Sequence, residues 1–130
     1  VALEDSEVCQ FPRARVESMS RAGGDLAQRL AKVMGVEIAR DKRLVSLLGS
    51  EDAETRVAAF LVDMAQRLAA RGYSPQVFDL PMSRQQIASY LGLTIETVSR
   101  RLTRLKEAGV IATSQRHVRI LDVAGLEARL

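Results

Sequence analysis

A mainly α fold with a small β component is what this chain of 130 residues predicts. Three stretches carry the expectation. A heptad-spaced run from about Asp25 to Leu48 reads as a long helix, two short capped helical patterns hinge at Gly92, and a period-two pattern follows Gly109.

The chain opens on Val1-Ala-Leu-Glu-Asp-Ser-Glu-Val-Cys-Gln-Phe-Pro12, which reads as a strand without a partner. A lone strand is not stable, so residues 1–18 are expected to be the end of a larger N-terminal domain. Residues 19–49 are read as the segment of the long helix. Ala27, Ala31, Met34, Ile38, Asp41, Val45 and Leu48 recur at coiled-coil spacing along it. That spacing predicts a helix packed on its twin across a two-fold axis; the alternative is a helix packed on its own domain. Asp41 is the odd member of the seam. In a parallel dimer it would approach its symmetry mate and weaken the pairing through two facing carboxylates; otherwise it is a solvated acid at the seam's edge.

Residues 50–130 read as the next domain. Gly49-Ser50 ends the long helix, and Ser50 is the expected cap of another, with Glu51, Asp52 and Glu54 at the positive end of its dipole. Val57, Phe60, Leu61, Met64 and Leu68 give this helix an apolar face, and Gly72 ends it. Tyr73 to Leu80 is expected to be a loop plus a short strand. Ser83 and Gln86 form a capping box, so a helix starts there. Ile87, Ala88 and Leu91 are its buried side and Gly92 its stop. Thr94 caps a second helix running to about Ala108. Two helices joined by a short Gly-containing turn form a helix-turn-helix, whose second helix enters the DNA major groove.

The second helix has two chemically distinct faces. Ile95, Val98, Leu102 and Leu105 fall within an arc of about 80° at helical period. Glu96, Ser99, Arg100 and Thr103 share the opposite side, flanked by Arg101 and Arg104. Arg can donate twice to guanine, Glu can accept from cytosine N4, and Ser can bond to a base or touch a thymine methyl. Gly109 to Leu121 reads as two strands around a polar turn, which makes a winged helix. Arg116, His117 and Arg119 of the wing could approach phosphates. His117, the sole histidine, has no second histidine or nearby cysteine with which to build a metal or catalytic site. Leu126 and Leu130 suggest a short final helix over the core.

Charge is distributed to match. From Pro81 to Arg119 there are seven Lys/Arg and two Glu, whereas the rest holds twelve basic and fourteen acidic residues. Counterion release favours positive charge where DNA would lie. The one cysteine excludes an internal disulfide and suggests a reducing compartment. No run of transmembrane length and no signal peptide is present, so a cytoplasmic, membrane-free protein is expected. There is no Gly-rich phosphate loop, zinc spacing or catalytic set, so an enzyme is not expected.

These residues resemble the Crp–Fnr superfamily of bacterial transcription regulators, and within it the oxygen-responsive Fnr branch. The densest match is Tyr90-Leu-Gly-Leu-Thr-Ile-Glu-Thr-Val-Ser-Arg100, whose Glu96, Ser99 and Arg100 form an E-x-x-S-R motif. The resemblance implies a homodimer on an inverted TTGAT palindrome. It also implies a β-roll sensor domain whose last strand begins this chain, RNA polymerase as a partner through loops such as Tyr73 to Asp79, and a place at the bacterial nucleoid. Ile95 and Ser99 stand where the cAMP-responsive branch carries Arg and Gly, which argues against that branch's half-site. Arg100 is assigned to guanine, Glu96 to the base opposite or adjacent, and Ser99 to thymine. Ser83, Arg84, Thr94, Thr97, Arg101, Thr103 and Arg116 are assigned to the DNA backbone.

Cys9 also gains a role. Val8-Cys9-Gln10-Phe11-Pro12 matches the context in which Fnr-like sensors place the fourth ligand of a [4Fe–4S] cluster. The other three ligands would lie outside this sequence, and a cubane takes four thiolates, so this chain alone is not expected to hold a cofactor. The alternative is a buried apolar cysteine in a cluster-free relative controlled by another signal. A rival of another class is a winged helix used as a protein-interaction module. Asp41 falls where Fnr-like proteins carry an acid in the dimer helix, which fits a signal tipping a weak dimer.

Overall fold

The computed structural model describes residues 5–21, 25–49 and 52–130. The chain divides into two compact units, Val1–Ser46 and Leu47–Leu130.

In the first unit, residues 5–12 carry neither helix nor strand. The expected strand is therefore not formed in its described part; residues 1–4 lie outside the described residues. A strand without a neighbour leaves its ladder donors and acceptors unpaired, and nothing in residues 5–12 offsets that. A helix that the sequence reading did not foresee follows as α1, Arg13–Arg21, so the boundary placed at residue 18 falls inside it. The Pro12 carbonyl accepts from the Arg15 and Val16 amides at its start, and Glu17 pairs with Arg13 at 2.7 Å, one turn away. The long helix forms as α2, Leu26–Leu48, in register with the expectation of Asp25 to Leu48. Its seam residues Met34, Ile38 and Val45 are exposed, as are Leu30, Val33 and Val36 beside them. Asp41 is also exposed.

The second unit begins with α3, Ala53–Ala70. Its cap is Asp52, two residues beyond the expected Ser50, which lies outside the described residues. The Asp52 carboxylate accepts from the Thr55 amide at 2.9 Å, with the Thr55 hydroxyl 3.0 Å away. The charged carboxylate satisfies that orphan amide and also sits favourably at the positive end of the helix dipole. Then come β1 (Val77–Asp79), α4 (Arg84–Leu91), α5 (Ile95–Glu107), β2 (Ile111–Ser114), β3 (His117–Ile120) and α6 (Val123–Glu127).

The strands form an antiparallel sheet in the order β1-β3-β2. Val118 and Ile120 alternate with exposed His117 and Arg119, so one face of β3 is buried. The two-residue tip, Gln115-Arg116, holds Gln115 at a φ of 52°, a left-handed conformation that costs an L residue about 1–2 kcal/mol.

One core binds these elements. Val57 and Leu61 of α3, Ile87 and Leu91 of α4, and Val98 and Leu105 of α5 are all sealed from solvent with Ile111 and Val118. Phe60 meets Tyr90 edge-on with ring centroids 5.9 Å apart. Ile95 departs from the expected stripe and is 41% exposed, at the first position of α5. Leu126 is buried, but Leu130 is 59% exposed, so α6 is anchored by one leucine rather than two.

Candidate nucleic-acid interface

The helix pair is built from its caps. The Ser83 hydroxyl accepts from the Gln86 amide at 3.3 Å, and Gln86 Oε1 accepts from the Ser83 amide at 2.7 Å. Gly92 takes φ 62°, with Leu93 N–H reaching back to the Ala88 carbonyl at 2.9 Å. That is a Schellman closure, and its left-handed residue is cheap only as glycine. Arg56 Nη1 donates to the Leu91 carbonyl at 3.1 Å, securing the same corner from α3. Thr94 then caps α5, accepting from the Thr97 amide at 3.2 Å.

With Val98, Leu102 and Leu105 buried, the opposite face of α5 is free. Glu96, Ser99, Arg100, Thr103 and Arg104 are all exposed there, so the three base-reading candidates stand on one surface. The hydroxyls differ in what they can still give. Ser83 uses its oxygen as an acceptor, which leaves its proton to donate. Thr94 and Thr97 share one bond at 2.9 Å, so one of their two protons remains. Thr103 spends its proton on the Ser99 carbonyl at 3.0 Å and must break that bond to donate to a phosphate.

Three of the expected backbone-contacting arginines are engaged inside the protein. Arg84 is half-buried, and its Nη2 donates to the Gln115 carbonyl at 3.0 Å. Burial lowers its pKa from the ordinary arginine value, and its Nη1 is buried without a hydrogen-bond partner. Arg116 Nη2 donates to the Pro81 carbonyl at 3.0 Å, while its own carbonyl accepts from Leu80 N–H at 2.9 Å. The hairpin tip is thus tied to the segment leading into α4. Leu80, Met82 and Ser83 line the hollow between them. Arg101 turns away from Arg100 toward α3, where Glu54 Oε2 lies 3.8 Å from its Nη1. On the wing, His117 Nδ1 sits 2.9 Å from Asp79 Oδ1 across the β1–β3 pair, both side chains exposed.

Glu54, Gln115 and Asp79 were not foreseen as partners of Arg101, Arg84 and His117, since the first lies far along the chain from Arg101 and carries no motif of its own. Cys9 is exposed. Among the described residues, no three His, Cys, Asp or Glu side chains gather into a metal site, and no helix is long and apolar enough to cross a membrane.

The signature of the Crp-like helix-turn-helix domain matches residues 55–129. The chain is 44% identical over 127 residues to the transcriptional regulatory protein btr of Bordetella pertussis, covering 98% of this chain and 52% of that protein. It is 39% identical over 127 residues to the fumarate and nitrate reduction regulatory protein of Salmonella typhimurium, covering 98% and 51%. Among solved structures, FixK2 from Bradyrhizobium japonicum superposes with a TM-score of 0.76 at 34% identity, over 89% of this chain and 57% of that one. The chain spans about half the length of the curated relatives it matches. These relatives are transcription regulators rather than enzymes. With its capped helix pair, its wing and these likenesses, the chain belongs to the Crp–Fnr family of transcription regulators, in the Fnr-like branch, and carries that family's DNA-binding domain.

Proposed function

We propose that the whole protein acts as a homodimer on an inverted TTGAT-type palindrome and controls genes in response to oxygen. The observation that carries the DNA half of this reading is the face of α5: Glu96, Ser99 and Arg100 exposed together, opposite buried Val98, Leu102 and Leu105. Arg100 takes the half-site guanine, Glu96 a neighbouring base and Ser99 a thymine. Ser83, Thr94 or Thr97, and the exposed Arg116 set the register on phosphates. The exposed apolar stripe of α2 is the surface two copies would share. RNA polymerase is the expected protein partner, met through the exposed residues between Tyr73 and Asp79, with Phe78 turned into the core, and the bacterial nucleoid is the expected location.

The oxygen half rests on Cys9 and on the name of the Salmonella relative, since fumarate and nitrate are respiratory acceptors. One exposed thiol does not make a cubane site. The residues present do not fit a cluster by themselves, and Cys9 serves only as one thiolate toward ligands from elsewhere in the whole protein.

Fluorescence anisotropy of the full-length protein on palindromic and scrambled duplexes, over a salt series, tests the reading. A steep salt slope with a cognate preference of about a thousandfold or more supports it. A slope without that preference favours an interaction module instead.

A further inference from the structure

Arg101 faces two claimants. It follows Arg100 on α5, where a phosphate would meet it, yet its guanidinium is directed at Glu54 in the first turn of α3. Both side chains are about three-quarters buried, at 27% and 25% exposure, so this contact is better shielded from salt than a surface pair. Glu54 has a second cation: Arg129 Nε lies 3.2 Å from its Oε1, nearer than Arg101. Arg129 is itself held on α6, donating from Nη1 to the Gly125 carbonyl, while its own carbonyl accepts from Thr55 Oγ1 at 2.9 Å. Asp52 stands beside them, its carboxyl kept below the usual range chiefly by the Thr55 amide and least by Arg101.

A carboxylate and a phosphate oxygen make the same demand on a guanidinium. We propose that Glu54 is an internal competitor for the DNA backbone: it holds Arg101 off phosphate and so lowers affinity for DNA of any sequence. The proposal rests on the DNA reading above and names a regulator of that same surface. The 3.2 Å and 3.8 Å contacts make the exchange feasible. When Arg101 leaves, Arg129 still neutralises Glu54, so no buried charge is stranded, which is the costly case. Because Arg101 would meet phosphate rather than a base, Glu54 acts on total affinity and leaves the preference for one sequence over another unchanged.

The test is a thermodynamic cycle on the full-length protein, with palindromic and random duplexes over a salt series. Wild type, Glu54→Gln, Arg101→Gln and the double variant are compared, with Glu107→Gln, an exposed acid on α5, as the charge-matched control. Glu54→Gln is expected to tighten both duplexes by the same factor and steepen the log K against log salt slope by about 0.9 per protomer. The gain should vanish in the Arg101→Gln background and exceed that of Glu107→Gln. An equal gain in both backgrounds, or no gain in a folded variant, overturns the proposal while leaving the DNA reading intact. A wild type without salt-dependent DNA binding fails the DNA reading itself. Should Glu54→Gln melt early, Arg129→Gln supplies the opposite sign. It leaves Glu54 only Arg101 to hold, so affinity should fall, and fall less when Arg101 is already Gln; equal falls overturn the proposal.

Discussion

Arg84 of α4 and Gln115 of the hairpin tip are joined by a 3.0 Å bond from the Arg84 guanidinium to the Gln115 carbonyl. The same Nη2 lies 3.3 Å from Thr113 Oγ1, so one side chain fastens the wing to the start of the helix pair. Arg84 therefore positions the wing whether or not it also touches phosphate. Arg84→Gln is expected to cost about 1 kcal/mol of stability from the lost bonds. It should weaken binding to palindromic and scrambled DNA by the same factor, because no base contact is removed. Urea denaturation and paired anisotropy titrations check both; a loss confined to the palindrome would give Arg84 a base-reading role.

Arg100 should behave in the opposite way. It is exposed on α5 and makes no ion pair among the described residues, so truncation leaves the fold intact. Arg100→Ala is expected to lose about 1–3 kcal/mol on the palindrome and to relax discrimination at one base pair. Titration against duplexes substituted at each half-site position locates that pair. Equal losses on cognate and scrambled DNA would contradict the assignment.

Gly92→Ala tests the hinge. A Cβ there would meet Arg56 Nη1 at 3.7 Å, an ordinary contact, so the penalty is conformational rather than steric. Holding Ala at φ 62° is expected to cost about 1–2 kcal/mol, read as a lower urea midpoint at unchanged slope. Replacement by Asn, which tolerates the left-handed region, should recover part of it.

The helix pair was legible because its instructions are local. Ser83 with Gln86, Gly92 and Thr94 each act within one turn, and the structure returns each at the expected position. The period of α2 and the alternation of β3 were readable for the same reason. What escaped was long-range or partnerless. Glu54 and Arg101 meet only after α3 and α5 pack, and no spacing in the sequence announces it. The expected strand before Pro12 depended on neighbours that residues 5–12 do not meet in this chain, and α1 took hold on local pairs such as Arg13–Glu17. At α3 the choice between Ser50 and Asp52 turned on two residues of register, which propensity does not resolve.

Asp41 offers a test of the proposed dimer. It lies on α2, exposed, between exposed Ile38 and Val45 of the seam. If two copies pair along that seam, facing carboxylates oppose association. Asp41→Ala is then expected to tighten the dimer, measured by sedimentation equilibrium of the full-length protein. An unchanged monomer–dimer constant would place Asp41 outside the interface.

The Asp52 cap gives a pH dependence whose sign is fixed. Its carboxyl is held below the ordinary aspartate value, chiefly by the Thr55 amide, so the folded state binds its proton less readily than the unfolded chain. The stabilisation is therefore complete above about pH 4 and is lost as pH falls through the lowered native value. Asp52→Ala should cost about 1 kcal/mol at pH 7, in the range of N-cap losses. The gap between wild type and variant should narrow once the medium is more acidic than the ordinary aspartate range. Urea unfolding at pH 7 and at about pH 3 measures it. A gap that stays constant would mean that the neutral carboxyl caps α3 as well as the charged one, and that the Thr55 amide contributes no preference for the ionised form.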